Sequence, residues 1–182
     1  AQGLARLEVI FGEEFPALLI LAASQVTLTD ASIDTADGPV DEAEPPMSVT
    51  IRLADDLDVS RGDMICRPNN RPHVGQDVDA MVCWFSDRAA LQPGAKYAIK
   101  HTSRWARAMV RDLNYRLDVN TLHRDETATS LGLNDIGRIT MRTTLPLFFD
   151  EYRRNRATGS FVLVDETTND TVAGGMILGP TG

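Results

Sequence analysis

The sequence predicts an all-β fold built as two modules, and three observations predict it. Apolar and polar residues alternate with a period of two in "SVTIRL", "KYAIKHT" and "RITMRTTLPL", the spacing of strands buried on one face. Turn-forming clusters punctuate the strand-like runs. "DGPVDEAEPP", "SRGD", "RPNNRP", "LQPG", "LGLND" and "ETTND" each supply Gly, Pro, Asn or Asp where a backbone must reverse. The charge also changes sign along the chain. Residues 1–66 hold thirteen Asp/Glu against three Lys/Arg, a net −10, whereas residues 67–182 hold thirteen against fifteen, a net +2. The change falls on "RPNNRPHVG" (67–75), which lacks apolar periodicity and reads as a linker. The expected boundaries are a first β module over 1–70 and a second over 73–182.

The elements follow in chain order. "SVTIRL" sets Val49, Ile51 and Leu53 on one face against Thr50 and Arg52. "KYAIKHT" sets Tyr97 and Ile99 against Lys96 and Lys100. "SRWARAMVRDLNYRLDV" is ambiguous. Its Trp105, Met109, Leu113 and Leu117 recur every four residues, which favours a helix, whereas a strand there mixes these residues with Arg107 and Arg111. "RITMRTTLPL" sets Ile139, Met141 and Leu145 against Arg142 and Thr144. "LFFDEYRRNRATG" admits one helical turn. "SFVLVD" and "TVAGGMIL" are short β-rich runs, and the small residues of the second suit close packing.

Composition narrows the function classes. At 182 residues and 43% hydrophobic content, the chain can bury one medium core or two small ones. Its longest apolar run, near "FPALLILAA", falls short of the roughly 20 residues that cross a bilayer. The first residues lack the order of an export signal. No membrane partner and a cytoplasmic setting are therefore expected. Cys66 and Cys83 lie in no CxxC motif and read as thiols of a reducing compartment. A net charge of −8 disfavours general nucleic-acid binding, because phosphates repel it.

The densest polar passage, "RLDVNTLHRDETATSLGLNDIGRI" (116–139), is the natural place to look for a reaction centre. General acid–base work needs a His oriented by a partner beside a substrate. His123 has Arg124 and Asp125 beside it, but a polar loop supplies such neighbours without chemistry. His73, His101 and His123 lie far apart with no ligand at metal spacing, and His101, among lysines, reads as solvated or capped. No GxxxxGK[ST] phosphate loop and no GxSxG elbow occurs. Asp55, Asp56 and Asp58 lack the Gly and closing Glu of an EF-hand and read as a solvated turn. No catalytic residue, metal ligand or cofactor-binding residue is assigned.

The basic residues leave a choice open. Lys100, Arg104, Arg107, Arg111, Arg116 and Arg124, interleaved with Trp105 and Tyr115, suit an outward cationic face, a phosphate track or an acidic protein partner. "YRRNR" (152–156) poses the same choice. Arg153, Arg154 and Arg156 are too many charges to bury, since a buried cation without its partner costs about 3–5 kcal/mol. They must face water or an acidic surface, with Leu147, Phe148 and Phe149 as the anchor and Phe161 in the next strand.

Several segments resemble the large, GTPase subunit of bacterial sulfate adenylyltransferase, in the part after its GTP-binding domain. They are "LADDLDVSRGDMI", "VDAMVCWF", "LQPGAKYAIKHTSRWARA", "YRLDVNTLHRD", "LGLNDIGRI" and "DEYRRNRATGSFVLVDETTNDTVAGGMI". The same region occurs in bifunctional forms fused to an adenylylsulfate kinase. The resemblance runs from about Pro39 to Ile177. "YRLDVNTL" and "DEYRRNRATGSF" are its most specific parts, because elongation factor Tu-like relatives do not share them.

The resemblance implies two antiparallel β-barrels of the translation-GTPase domain 2 and 3 type, the first of them complete or curtailed. It also implies a long bent strand over 104–117. "GEEFPALLILAASQVTLTD" would stand for a strand–turn–strand of the first barrel. The P-loop, DxxG and NKxD motifs have no counterpart here, so GTP and Mg are expected only in a GTPase domain outside this sequence. In that family a small subunit joins ATP and sulfate into adenylyl sulfate and pyrophosphate, and the large subunit couples GTP hydrolysis to it. The chain would be the non-catalytic barrel region, inactive alone. Its expected partners are the GTPase domain of the same protein and the catalytic small subunit. The candidate contacts are Tyr152, Arg153, Arg154, Arg156, His123 and Arg124. The alternative is a tRNA-binding barrel pair of a translation elongation factor.

Overall fold

The computed structural model describes residues 19–21, 26–28, 32–41, 47–53, 56, 59–66 and 70–181. Every regular element among them is a β-strand. The chain divides into two compact units, Ala1–Pro72 and His73–Gly182. Asp55 and Asp58 lie outside the described residues, and Asp56 is exposed.

The first unit contains β1 (Leu19–Leu21), β2 (Val26–Leu28), β3 (Ser32–Thr35), β4 (Gly38–Val40), β5 (Thr50–Arg52) and β6 (Ile65–Cys66). They form two antiparallel three-stranded sheets, β2-β1-β6 and β4-β3-β5. The expected strand–turn–strand is the β1–β2 pair, with Leu19 opposite Leu28. In and beside β5 the alternation holds: Val49, Ile51 and Leu53 are half-buried, and Thr50 and Arg52 face water. Arg52 pairs with Asp34 of β3 at 2.7 Å.

The second unit is a closed barrel. Its strands are β7 (His73–Trp84), β8 (Lys96–His101), β9 (Arg104–Leu117), β10 (Arg124–Asp125), β11 (Ile136–Phe149), β12 (Ser160–Val164) and β13 (Thr171–Pro180). The sheet order is β10-β9-β11-β7-β13-β12-β8, and β8 also pairs with β9. That last pairing joins six strands into a ring with no free edge, and β10 hangs from the end of β9. Alternate residues point inward and fill the lumen: Val78, Ala80, Val82 and Trp84 from β7, Tyr97 and Ile99 from β8, and Leu147 and Phe149 from β11. Each large side chain so buried contributes about 1.5–3 kcal/mol.

The four-residue recurrence in 104–117 does not make a helix. Four is even, so residues four apart also share one face of a strand. Trp105 and Met109 point outward, while Ala106, Ala108 and Val110 point inward. A register shift against β11 at Thr140/Met141 then moves the inward face from even Val110 to odd Leu113, and a second shift follows at Arg138/Ile139. Leu113 joins the core for that reason.

The alternation in "RITMRTTLPL" also breaks at a bulge. Register against β7 shifts between Arg142 and Leu147. Thr143 takes the inward place, Leu147 resumes it, and Leu145 is turned out to 48% exposure. The buried Thr143 hydroxyl donates to the carbonyl of Leu145 at 2.7 Å.

The polar passage 116–139 is a strap across one mouth of the barrel. Leu131 lies opposite Leu91, and the two exchange backbone hydrogen bonds of 2.9 and 3.0 Å. Both side chains are completely buried. Trp84 is held beside them, its Nε1–H donating to the carbonyl of Ala89 at 2.8 Å. Asn and Asp serve the turns as expected. Asp118 accepts from the N–H groups of Asn120 and Thr121 at 2.8 and 3.2 Å, and Asp135 accepts from that of Gly132 at 2.8 Å. Asn134 sits at φ 66°.

In β13, Gly175 faces the Phe161 ring so closely that an added Cβ would lie 2.1 Å from it. The small residues of "TVAGGMIL" are therefore a packing requirement.

Leu131→Ala removes the plug of the mouth and should cost about 2–5 kcal/mol. Urea unfolding of residues 73–182 checks it, with a lower midpoint expected at an unchanged slope.

Candidate partner-contact surface

The six candidate contacts fall into two groups. Tyr152, Arg153, Arg154 and Arg156 follow β11, whereas His123 and Arg124 precede it. The two ends of this 14-residue strand are separated by roughly 40 Å of strand path. One partner patch of ordinary size does not span both.

The arginine group rides on loop 150–159, which is stitched to the barrel at both ends. The Tyr152 N–H donates to the Ile177 carbonyl at 2.8 Å, and the Ile177 N–H donates to that of Gly159 at 2.7 Å. The N–H groups of Arg154 and Asn155 both donate to the Glu151 carbonyl, at 2.8 and 3.0 Å, which makes the expected single helical turn. A Cβ on Gly159 would lie 2.4 Å from the Cα of Tyr152, so only glycine lets the loop close on itself. Leu147, Phe148, Phe149 and Phe161 are buried beneath it.

Arg153, Arg154 and Arg156 of the loop are exposed. Arg153 is 87% exposed and pairs with Glu151 at 2.6 Å. A pair that exposed contributes at most about 1 kcal/mol. The Arg156 guanidinium lies 5.9 Å from the centre of the Tyr152 ring.

His101 holds the loop from inside. It is not solvated. The inward parity of Tyr97 and Ile99 continues to it, and it is buried. Its Nε2 lies 2.7 Å from the Thr158 carbonyl, so this nitrogen carries the proton. The Thr158 hydroxyl in turn donates to Asp150 at 2.8 Å. Burial pushes the imidazole below its ordinary pKa. The hydrogen bond to Thr158 opposes that shift, the Arg104 charge adds to it, and Asp150 opposes it.

At the other end, His123 is exposed. Its backbone N–H donates to the Thr121 hydroxyl oxygen at 3.3 Å, and its carbonyl accepts from the Asp118 N–H at 2.9 Å. The Arg124 guanidinium lies 5.0 Å from the Tyr115 ring centre. Among the described residues, no group of three His, Cys, Asp or Glu side chains could hold a metal ion. Cys66 and Cys83 form no disulfide.

The basic stripe of β9 is largely answered by the barrel's own acids. Arg107 meets Glu166 at 2.6 Å, and Arg116 meets Asp125 at 3.1 Å. Asp77 of β7 takes Arg142 at 2.8 Å and Arg111 at 3.6 Å. Asp79 takes Arg138. Such cross-strand pairs each contribute about 0.2–1 kcal/mol and leave little unbalanced charge for a phosphate track.

Comparison with known proteins places the fold. The family described as GTP-eEF1A C-terminal domain-like matches residues 77–178. The chain belongs to that family. It is 55% identical over 167 residues to the bifunctional enzyme CysN/CysC of Mycobacterium tuberculosis, covering 92% of this chain and 26% of that protein. It is 42% identical over 147 residues to sulfate adenylyltransferase subunit 1 of Bacteroides fragilis, covering 81% of this chain and 30% of that protein. The chain thus spans about a quarter of the length of the first of these relatives. Among solved structures, Sup35 complexed with GMPPNP matches with a TM-score of 0.79 at 17% identity, over 91% of this chain and 40% of that one. The fold is the all-β barrel fold of elongation factor-like GTPases. No helix among the described residues is long and apolar enough to cross a membrane.

The depressed His101 pKa fixes a direction for acid. Unfolded, the imidazole titrates near its ordinary value of about 6.5; folded, it titrates lower. The barrel's stability is therefore intact above about pH 6.5 and falls as pH drops below it. His101→Gln keeps an N–H for Thr158 but does not titrate. Its urea midpoint should fall less than the wild type's between pH 7.5 and 5.

Proposed function

We propose that the chain is the non-catalytic β-barrel region of the GTP-hydrolysing subunit of a sulfate adenylyltransferase. It supports the GTPase domain and docks the catalytic small subunit that makes adenylyl sulfate and pyrophosphate from ATP and sulfate. The observation that carries this reading is the 55% identity across 92% of the chain to one quarter of a CysN/CysC protein. The geometry supports it as well: loop 150–159 is a rigid cationic projection on a closed barrel, a form suited to docking. GTP and Mg belong to the GTPase domain in this reading, and the setting is the cytoplasm. The match to the eEF1A C-terminal family favours a second reading, a tRNA-binding barrel pair. RNA retention on a filter across a salt series separates the two, since phosphate binding weakens steeply with salt.

Two outcomes are expected. Calorimetry of the isolated chain should show no saturable micromolar GTP binding, because the sequence has no GxxxxGK[ST] loop. In the full-length subunit, changing Arg153, Arg154 and Arg156 together to Glu should leave the barrel folded. It should slow association with the small subunit on the order of tenfold at low salt and less at physiological salt. Unchanged association at both salts would leave these arginines as a solvated face.

A further inference from the structure

Beside the charges near the arginine loop, the sequence marked Trp105 only as an aromatic among cations and put Leu145 on an inward face. Across the tight turn from β8 to β9, His101 pairs with Arg104 and Lys100 with Trp105. His101 also touches the loop through Thr158 at 2.7 Å, so this turn and the loop share one end of the barrel. The β11 bulge lies on the same side. The Arg107 N–H donates to the Thr144 hydroxyl at 3.1 Å, and an Arg104 Nη donates to the Pro146 carbonyl. Leu145 therefore stands between two residues that touch β9. Trp105 and Leu145 are each 48% exposed.

This patch is built rather than loose. The Gln76 side-chain amide donates to the carbonyls of Thr143 and Thr144, at 3.0 and 3.1 Å, which locks the bulge that turns Leu145 out. Lys100 Nζ lies 5.9 Å from the Trp105 ring centre, and the Arg104 guanidinium lies 4.5 Å from that of Phe148. Little side-chain freedom remains to be lost on binding. Its charge also differs from that of the whole chain. Lys100, Arg104, Arg107, Arg153, Arg154 and Arg156 gather here with Asp150, Glu151 and Glu166, a cationic excess on a protein of net charge −8.

We infer that Trp105 and Leu145, ringed by Lys100, Arg104 and Arg107, form the apolar anchor of a protein-docking surface that takes an apolar cleft rimmed with carboxylates. This deepens the docking role proposed above and rests on it. A buried aromatic beside arginines is the usual make-up of an interface hot spot, and the surrounding charges act on encounter and specificity. A protruding Leu suits a protein cleft better than a nucleic acid, which is held by flat rings and phosphate contacts. Arginines and anchor then have separable effects. The loop steers the partner in, and the anchor holds it.

The test measures binding kinetics between the full-length subunit and the catalytic small subunit. Trp105→Ala and Leu145→Ser are compared with the triple arginine-to-Glu variant, and circular dichroism and urea midpoints confirm folding. Leu145→Ser is the second arm because Trp105 also supports Lys100. The expected result is dissociation about tenfold faster or more in each apolar variant, with association changed by less than about twofold. The triple variant should slow association instead. Wild-type dissociation in both apolar variants, with assembly lost in the triple variant, overturns the anchor and leaves the docking role standing. Wild-type kinetics in all three remove both. A single-stranded RNA that binds the wild type but not Trp105→Ala, with small-subunit kinetics unchanged, also overturns the anchor.

Discussion

The second unit depends on one pairing. β8 bonds to β12 on one side and to β9 on the other, and this closes six antiparallel strands into a ring. Closure removes the free sheet edges that would otherwise pair with other chains. It also creates an interior that only inward side chains can fill, so parity along each strand becomes strict. Wherever the chain needs a different parity, it must spend a residue as a bulge. It does so three times on β11's two flanks, and two of these bulges shape β9 while the third turns Leu145 outward.

Closure also sorts the polar residues. Those on the barrel wall pair across strands, so Asp77 and Asp79 of β7 absorb much of the arginine charge of β9 and β11. Those at the ends serve the connections. One end is sealed by the Leu91–Leu131 contact, and the other carries loop 150–159, tied to Ile177 and held from within by His101. Unlike the wall arginines, those of the loop project from a connection, which is why the docking reading rests there.

Much of this was legible in the sequence. Period-two runs located β5, β8 and β11, short β-rich runs located β12 and β13, and turn residues marked their ends. The resemblance supplied the barrel and the strand at 104–117. What the residues alone misread has a common cause, since a four-residue recurrence fits one face of a strand as well as a helix. A bulge changes parity without leaving a sequence mark, so Leu145 was expected inside. His101 was expected outside because it stands among lysines, although the inward parity of Tyr97 and Ile99 runs on to it. The candidate contacts were given as one set, but the 14-residue β11 separates His123 and Arg124 from the arginine loop. Trp105 was noted only as an aromatic among cations, because its exposure depends on closure.

The central claim is that the end of the barrel carrying loop 150–159 meets an acidic protein surface. The chain has only two lysines, Lys96 and Lys100, both on β8, and Lys100 lies beside Trp105. Zero-length carbodiimide coupling of the assembled full-length subunit and small subunit, read by mass spectrometry, therefore probes this surface directly. The account predicts a bond from Lys100 to a small-subunit Asp or Glu, weaker coupling at Lys96, and loss of the Lys100 product in the triple arginine-to-Glu variant. An assembled complex in which Lys100 couples to no small-subunit residue, and stays as open to an amine reagent as in the free subunit, would contradict it.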